Sequence, residues 1–211
     1  MNRDPRRDAL VRDLSVVDLD GPAFQRWLGP RIVELFGCEA SLIHGMGFGD
    51  NGFDLGECVL TGGARDDALE RDVRAHGERY SDIYSSYDPR SIDPRQANRA
   101  LLMPSPRQLR ERGLPPSLLR SRHVSEKLEI GLHRFREEMV PLYVRWGQLD
   151  SRHLRVLLCE GRRMIGYVGA LQPSAFSRDA QRAMAALVPA MRRRFRDRGA
   201  AARRACGARA R

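Results

Sequence analysis

Between His153 and Phe195 the sequence leaves little choice of local structure. Leu154-Arg155-Val156-Leu157-Leu158-Cys159 is a run of β-forming residues, Glu160-Gly161-Arg162-Arg163 is a turn, and Met164 to Leu171 is a second β-forming run. The three together predict a hairpin. After Pro173, Ser177 can cap a helix with Asp179 in its first turn, and Ala180, Met184, Leu187, Met191 and Phe195 recur on one face of it. Such a face needs a sheet to cover.

Upstream, Asp20-Gly21-Pro22 reads as a helix start, because aspartate can cap and proline is tolerated at the first helical positions. Phe24, Trp27, Leu28, Ile32 and Leu35 then mark its apolar face up to Gly37, and Gly29-Pro30 should kink or split it. Ala40 to His44 and Phe53 to Thr61 read as two strands. Between them Gly47, Gly49 and Gly52 satisfy GxGxxG, a dinucleotide fingerprint only when a helix follows. Here Asp50-Asn51-Gly52 signals a turn and a strand follows, so a hairpin loop is expected. Residues 64–80 read as a helix with Ala68, Leu69, Val73 and His76 on its apolar side. From 81 to 125 prolines break the pattern, leaving only short apolar pieces such as Ala100 to Met103. Ser125 opens another helix through Leu128, Leu132, Phe135, Met139 and Leu142, which Pro141 kinks or ends.

The order helix, two strands, helix, variable segment, helix, two strands, helix predicts an α+β fold. Its core is an antiparallel sheet of about four to six strands with helices packed on its faces. The chain divides into an N-terminal extension (1–19), one domain (20–195) and an Arg/Ala-rich tail (196–211) expected to fray. The series Phe135-Arg136-Glu137-Glu138, Pro141-Leu142-Tyr143, Gly147, Leu154 to Leu158, Gly166-Tyr167-Val168-Gly169, Phe176-Ser177-Arg178-Asp179 and Leu187 to Met191 resembles the second half of GAF-like sensory domains. These precede the helix-turn-helix of many bacterial LuxR-type transcriptional regulators. The resemblance covers about residues 125–195, and 20–62 is compatible with it. It implies a GAF/PAS-like, non-catalytic sensory domain, homodimeric through its first and last helices. Such a domain would bind a small effector or act through a regulatory protein partner. The 16 residues after Phe195 are too few for a DNA-binding module, so a stand-alone or truncated regulator is expected and direct DNA binding is doubtful.

Charge bears on the rival reading, a small basic nucleic-acid-associated protein. Of the net +10, residues 192–211 contribute +8 through nine arginines and one aspartate. The body is therefore nearly neutral. Lys127 is the only lysine, an arginine bias of the kind a GC-rich genome imposes. On the nucleic-acid reading Arg192, Arg193, Arg194 and Arg196 would carry the phosphate contacts, although basic residues also suit a helix C-terminus. No run approaches the roughly 18 apolar residues of a membrane span, and no apolar signal core follows Met1, so a cytoplasmic protein is expected.

Catalytic patterns are missing. No GxSxG nucleophile elbow occurs, and the histidines at 44, 76, 123, 133 and 153 include no HxxxH pair, so each is expected at the surface or satisfied in the core. Cysteines 38, 58, 159 and 206 lack CxxC spacing and read as reduced thiols. A thiolate pair of Cys159 with His153 or His44 is conceivable chemically, but a strand cysteine beside Leu158 more often packs. No catalytic residue, metal or cofactor is assigned. The candidate effector pocket is Phe53, Cys58, Tyr143, Trp146, Cys159 and Tyr167, residues from elements that would face one side of the sheet; equally, they could fill the core.

Overall fold

The structure is a computed structural model, and it describes residues 5–19, 21–49, 52–79, 96–112, 135–161 and 163–209. Among these residues five strands form one sheet: β1 (Ala40–Gly49), β2 (Gly52–Thr61), β3 (Ala100–Met103), β4 (Arg152–Glu160) and β5 (Arg163–Gln172). Their order is β2-β1-β5-β4-β3, with every neighbouring pair antiparallel. The α+β class and antiparallel sheet expected from the sequence are both present. So is the β4-β5 hairpin, in which Glu160 pairs with Arg163.

Helices α1 (Pro5–Val16), α2 (Gly21–Phe36) and α6 (Arg178–Arg209) cover one face. Ser177 caps α6 as its sequence suggests, its Oγ accepting from Ala180 N–H at 3.1 Å. Met184, Leu187, Met191 and Phe195 then lie buried against Leu154, Val156 and Leu158. Phe195 meets the Phe24 ring edge-on at 5.7 Å and fills the space a side chain at Gly166 would need. Gln181 ties the helix to β3 by donating to Ala100 O at 2.8 Å. On the other face α3 (Asp67–Arg79) buries Leu69 and Val73, as its apolar pattern predicts, against Leu42, Cys58 and Leu60. Helix α5 (Val140–Trp146) adds Tyr143 and Trp146 to the same layer. Helix α4 (Pro106–Arg112) packs on α5, with Arg107 N–H donating to Leu149 O at 3.0 Å. Because helices flank both faces, the inner strand β4 is buried from His153 to Cys159, which explains its nearly unbroken apolar run.

Several boundaries differ from the sequence reading. The supposed N-terminal extension belongs to the core, since α1 lies along α6 and buries Leu10 and Leu14. Helix α6 continues through Arg209 rather than ending near 196, consistent with the high helix propensity of alanine and arginine. Pro30 sits inside α2 without splitting it. At Pro141 the chain passes from a π-helical turn (Phe135–Met139) into α5. The wider turn relieves the clash a proline ring makes with the carbonyl four residues back. Strand β3 went unseen because four apolar residues among prolines carry no periodicity. The GxGxxG segment lies in the β1-β2 hairpin, where Gly49 pairs with Gly52, so no helix N-terminus meets a phosphate there. The helix start expected at Ser125 and the cap at Asp20 lie outside the described residues.

Candidate functional site

Strand β4 places His153, Arg155, Leu157 and Cys159 on the face away from α6, because successive strand residues point to opposite sides. Register sets their neighbours: His153 lies opposite Leu171, Arg155 opposite Gly169 and Leu157 opposite Tyr167. Across β5, Tyr167 lies opposite His44 and Gly169 opposite Leu42. Three adjacent strands thus bring two histidines, an arginine and a tyrosine onto a layer otherwise built of hydrocarbon.

Contacts tighten this arrangement. The His44 and Tyr167 rings meet edge-on at 5.9 Å, while Tyr143 of α5 lies over His153 at 5.4 Å and leans on Trp146 at 6.1 Å. Tyr167 bends over Gly169, where a Cβ would stand 3.1 Å from the phenol oxygen. Arg155 is only 9% exposed and donates from Nη2 to Gln96 Oε1 at 3.0 Å. Beside them Asn98 extends the sheet: its amide donates to Cys159 O at 3.0 Å and its Oδ1 accepts from Cys159 N–H at 2.8 Å. Its φ of 56° is one that asparagine tolerates better than most residues.

Burial governs the chemistry of this face. It pushes His44 down to about 4 and His153 down to about 3, the latter helped by the positive charge of Arg155. Both rings are therefore neutral near pH 7. Burial raises Tyr167, with Arg155 opposing, and it raises Cys58 well above the ordinary thiol value and Cys159 to about 11. These thiols stay protonated, and six residues of strand, about 20 Å, separate Cys159 from His153. His44 is no nearer a partner, since β5 lies between its strand and that of Cys159, so neither thiolate pair has a geometric basis. Among the described residues the buried Nδ1 of His44 and Nε2 of His153 have no hydrogen-bond partner. These two rings are thus not the satisfied core histidines the sequence suggests. His76, His123 and His133 offer no comparison, because their side chains lie outside the described ones.

The residues named from sequence as a pocket fall on this same face. Cys58, Tyr143 and Trp146 are buried in one cluster with Leu42, Leu60 and Leu69, and Tyr167 packs against it. Cys159 lies further along with Leu157 and Met164, where Tyr167 also reaches. The Phe53 side chain lies outside the described ones. Beside Trp146 an apolar depression lined by Leu42, Leu60, Val73, Met139 and Tyr143 measures about 10 Å³, room for about one water molecule. No family model, curated protein or solved structure matches this chain. The site's meaning must therefore come from its chemistry.

Among the described residues no group of three metal-ligating side chains converges, and no helix is long and apolar enough to cross a membrane. Of the arginines singled out on α6, Arg192, Arg193 and Arg196 are exposed. Arg194 is half-buried, donating to Leu19 O at 3.0 Å and lying 5.6 Å from the Phe24 ring centre. It joins α6 to the approach to α2.

Sequence reasoning missed His44, His153, Arg155 and Gln96. One signal was available: the alternation His153, Arg155, Leu157, Cys159 inserts two basic residues into one face of a strand otherwise apolar on both. Trp146, by contrast, has a structural duty that the pocket assignment did not anticipate. Its indole N–H donates to Gly62 O at 2.8 Å. Trp146→Phe is expected to lower stability by about 2 kcal/mol in urea denaturation, because the Gly62 carbonyl loses its buried donor. An unchanged midpoint would mean that the hydrogen bond contributes nothing net.

Proposed function

We propose that this chain is a non-catalytic, GAF-like sensory domain of bacterial transcriptional control, taking a small effector on the β1-β5-β4 face opposite α6. The observation that supports this most is the cluster of His44, His153, Arg155 and Tyr167 on a buried sheet face, with ring nitrogens left unsatisfied. Filling a core would favour hydrocarbon there, since an unpaired buried polar group costs about 1–3 kcal/mol. The same sheet has α6 on its other face, so occupancy can be passed to the helix through β4 and β5. The ordered motifs behind the GAF resemblance fall on the π-helical turn, α5, β4, β5 and α6 and the turns beside them. Output would pass through a homodimer or a regulatory partner.

Trp146 reports on this face, whereas Trp27, the other tryptophan, packs against the core on the α2 side. In a Trp27→Phe variant, a panel of small metabolites should include at least one that changes Trp146 emission. At 100 times its Kd that compound should raise Tm by about 5–10 °C. A panel that leaves both signals unmoved, or turnover of the bound compound by the protein, would sink the proposal.

A further inference from the structure

Helix α6 carries its last described core side chain at Phe195, yet the helix continues to Arg209. Arg196 to Arg209 adds about 21 Å of helix beyond that residue. The charge of the chain is concentrated here. Residues 192–211 hold nine arginines against one aspartate, whereas residues 1–191 hold 28 basic against 26 acidic side chains. A GC-rich genome accounts for arginine in place of lysine but not for this placement. The helix dipole favours cations only within the last turn, and the exposed Arg192, Arg193 and Arg196 lie well before it.

Three kinds of occupant suit an extended basic helix, and the sequence separates them. After Phe195 no aromatic or large aliphatic residue occurs, so a second copy would find no apolar seam and would bring a second set of arginines alongside the first. A membrane surface requires a large apolar face beside the basic one, which is lacking for the same reason. A phosphate backbone requires only closely spaced cations. We infer that the C-terminal part of α6, Arg192 to Arg209, binds the phosphate backbone of duplex DNA along the major groove, with little regard to sequence. An α-helix with its side chains is about 10–12 Å across, close to the width of the B-form major groove. The A-form groove of RNA is too narrow to admit it, and no aromatic ring follows Phe195 on which an unpaired base could stack. Continuous basic helices cross the major groove without a folded module around them, so α6 needs none. This gives the domain a direct output and goes beyond the sensory reading without depending on it.

Anisotropy of a labelled duplex of about 20 base pairs, titrated with the full chain from about 50 to about 200 mM KCl, tests this. About five phosphate contacts give log Kd a slope of about 4.5 against log salt, a loss of about 500-fold in affinity over that range. Arg192→Gln with Arg193→Gln, and separately Arg203→Gln with Arg204→Gln, should each weaken binding at least about tenfold at the lower salt and reduce the slope by about 2. Arg152→Gln with Arg178→Gln removes equal charge elsewhere. Phe195 lies over Gly166, whose partner on β4 is Leu158, six residues along from Arg152. This pair should change binding less than about twofold, because salt screens charges at that distance. Circular dichroism melting reports that each variant folds. No binding at the lower salt, equal losses in the α6 and control pairs, or a single-stranded RNA of the same length binding more tightly than the duplex each overturns the inference. So does tighter binding to phosphatidylserine vesicles than to the duplex. Any of these results leaves the effector test of the sensory reading untouched.

Discussion

Replacing Gly62 by alanine is expected to remove about 4 kcal/mol of stability, a large share of the roughly 5–15 kcal/mol that holds a domain together. Gly62 follows β2 with φ of 75°, where an L side chain costs about 1–2 kcal/mol. The larger obstacle is steric. A Cβ there would stand 2.1 Å from the carbonyl oxygen of Glu39 and 3.2 Å from Ala40 Cα, both backbone atoms that cannot rotate away. Overpacking of that kind adds about 1–3 kcal/mol. Any shift that relieves it also disturbs the Gly62 carbonyl, which holds the Trp146 indole. Gly147 provides the control: its φ is 76°, but nothing lies within 4 Å of its Cβ position. Gly147→Ala should therefore cost only the conformational strain, about 1–2 kcal/mol. Equal urea midpoints for the two variants would show that the close approach at Gly62 carries no energy.

The same contrast explains what could be read in the sequence. Periodicity reports which face of an element is buried, and it served well where elements are long. Phe24, Leu28 and Ile32 in α2, Leu69 and Val73 in α3, and Met184, Leu187 and Met191 in α6 all lie in the core. Runs of β-forming residues on either side of a turn likewise located β4, β5 and their hairpin. Periodicity could not locate β3, whose four consecutive apolar residues show neither strand alternation nor a helical repeat, nor the contact of Gly62 with Glu39, which joins separate parts of the chain. The face itself was legible only in outline. Aromatic residues and cysteines pointed to Tyr143, Tyr167 and Cys58 as neighbours, because large side chains from consecutive elements must share one layer. His153 and Arg155 were concealed within an apolar strand, and the role of His44 depends on its register with Tyr167 across β5. Register is set by pairing, and no single strand encodes it.

Acidification should destabilise the protein by about 3 kcal/mol between pH 7 and pH 5, and the sign follows from the two histidines. In the unfolded chain each takes a proton near pH 6.5. In the fold, burial holds His44 down to about 4, and burial with the charge of Arg155 holds His153 down to about 3. Below pH 6.5 the unfolded state therefore binds protons that the folded state refuses. Stability is full above that pH, falls through the window, and stops falling only below the folded values. Two such groups would give a slope approaching about 2.7 kcal/mol per pH unit. His44 contributes less than its full share, because the residue as a whole is only partly buried. Melting followed by circular dichroism should show Tm dropping by roughly 10 °C from pH 7 to pH 5. His153→Gln should remove more of that drop than His44→Gln. A melting temperature constant from pH 7 to pH 5 would mean that neither ring is buried neutral, and the candidate site would lose its physical basis.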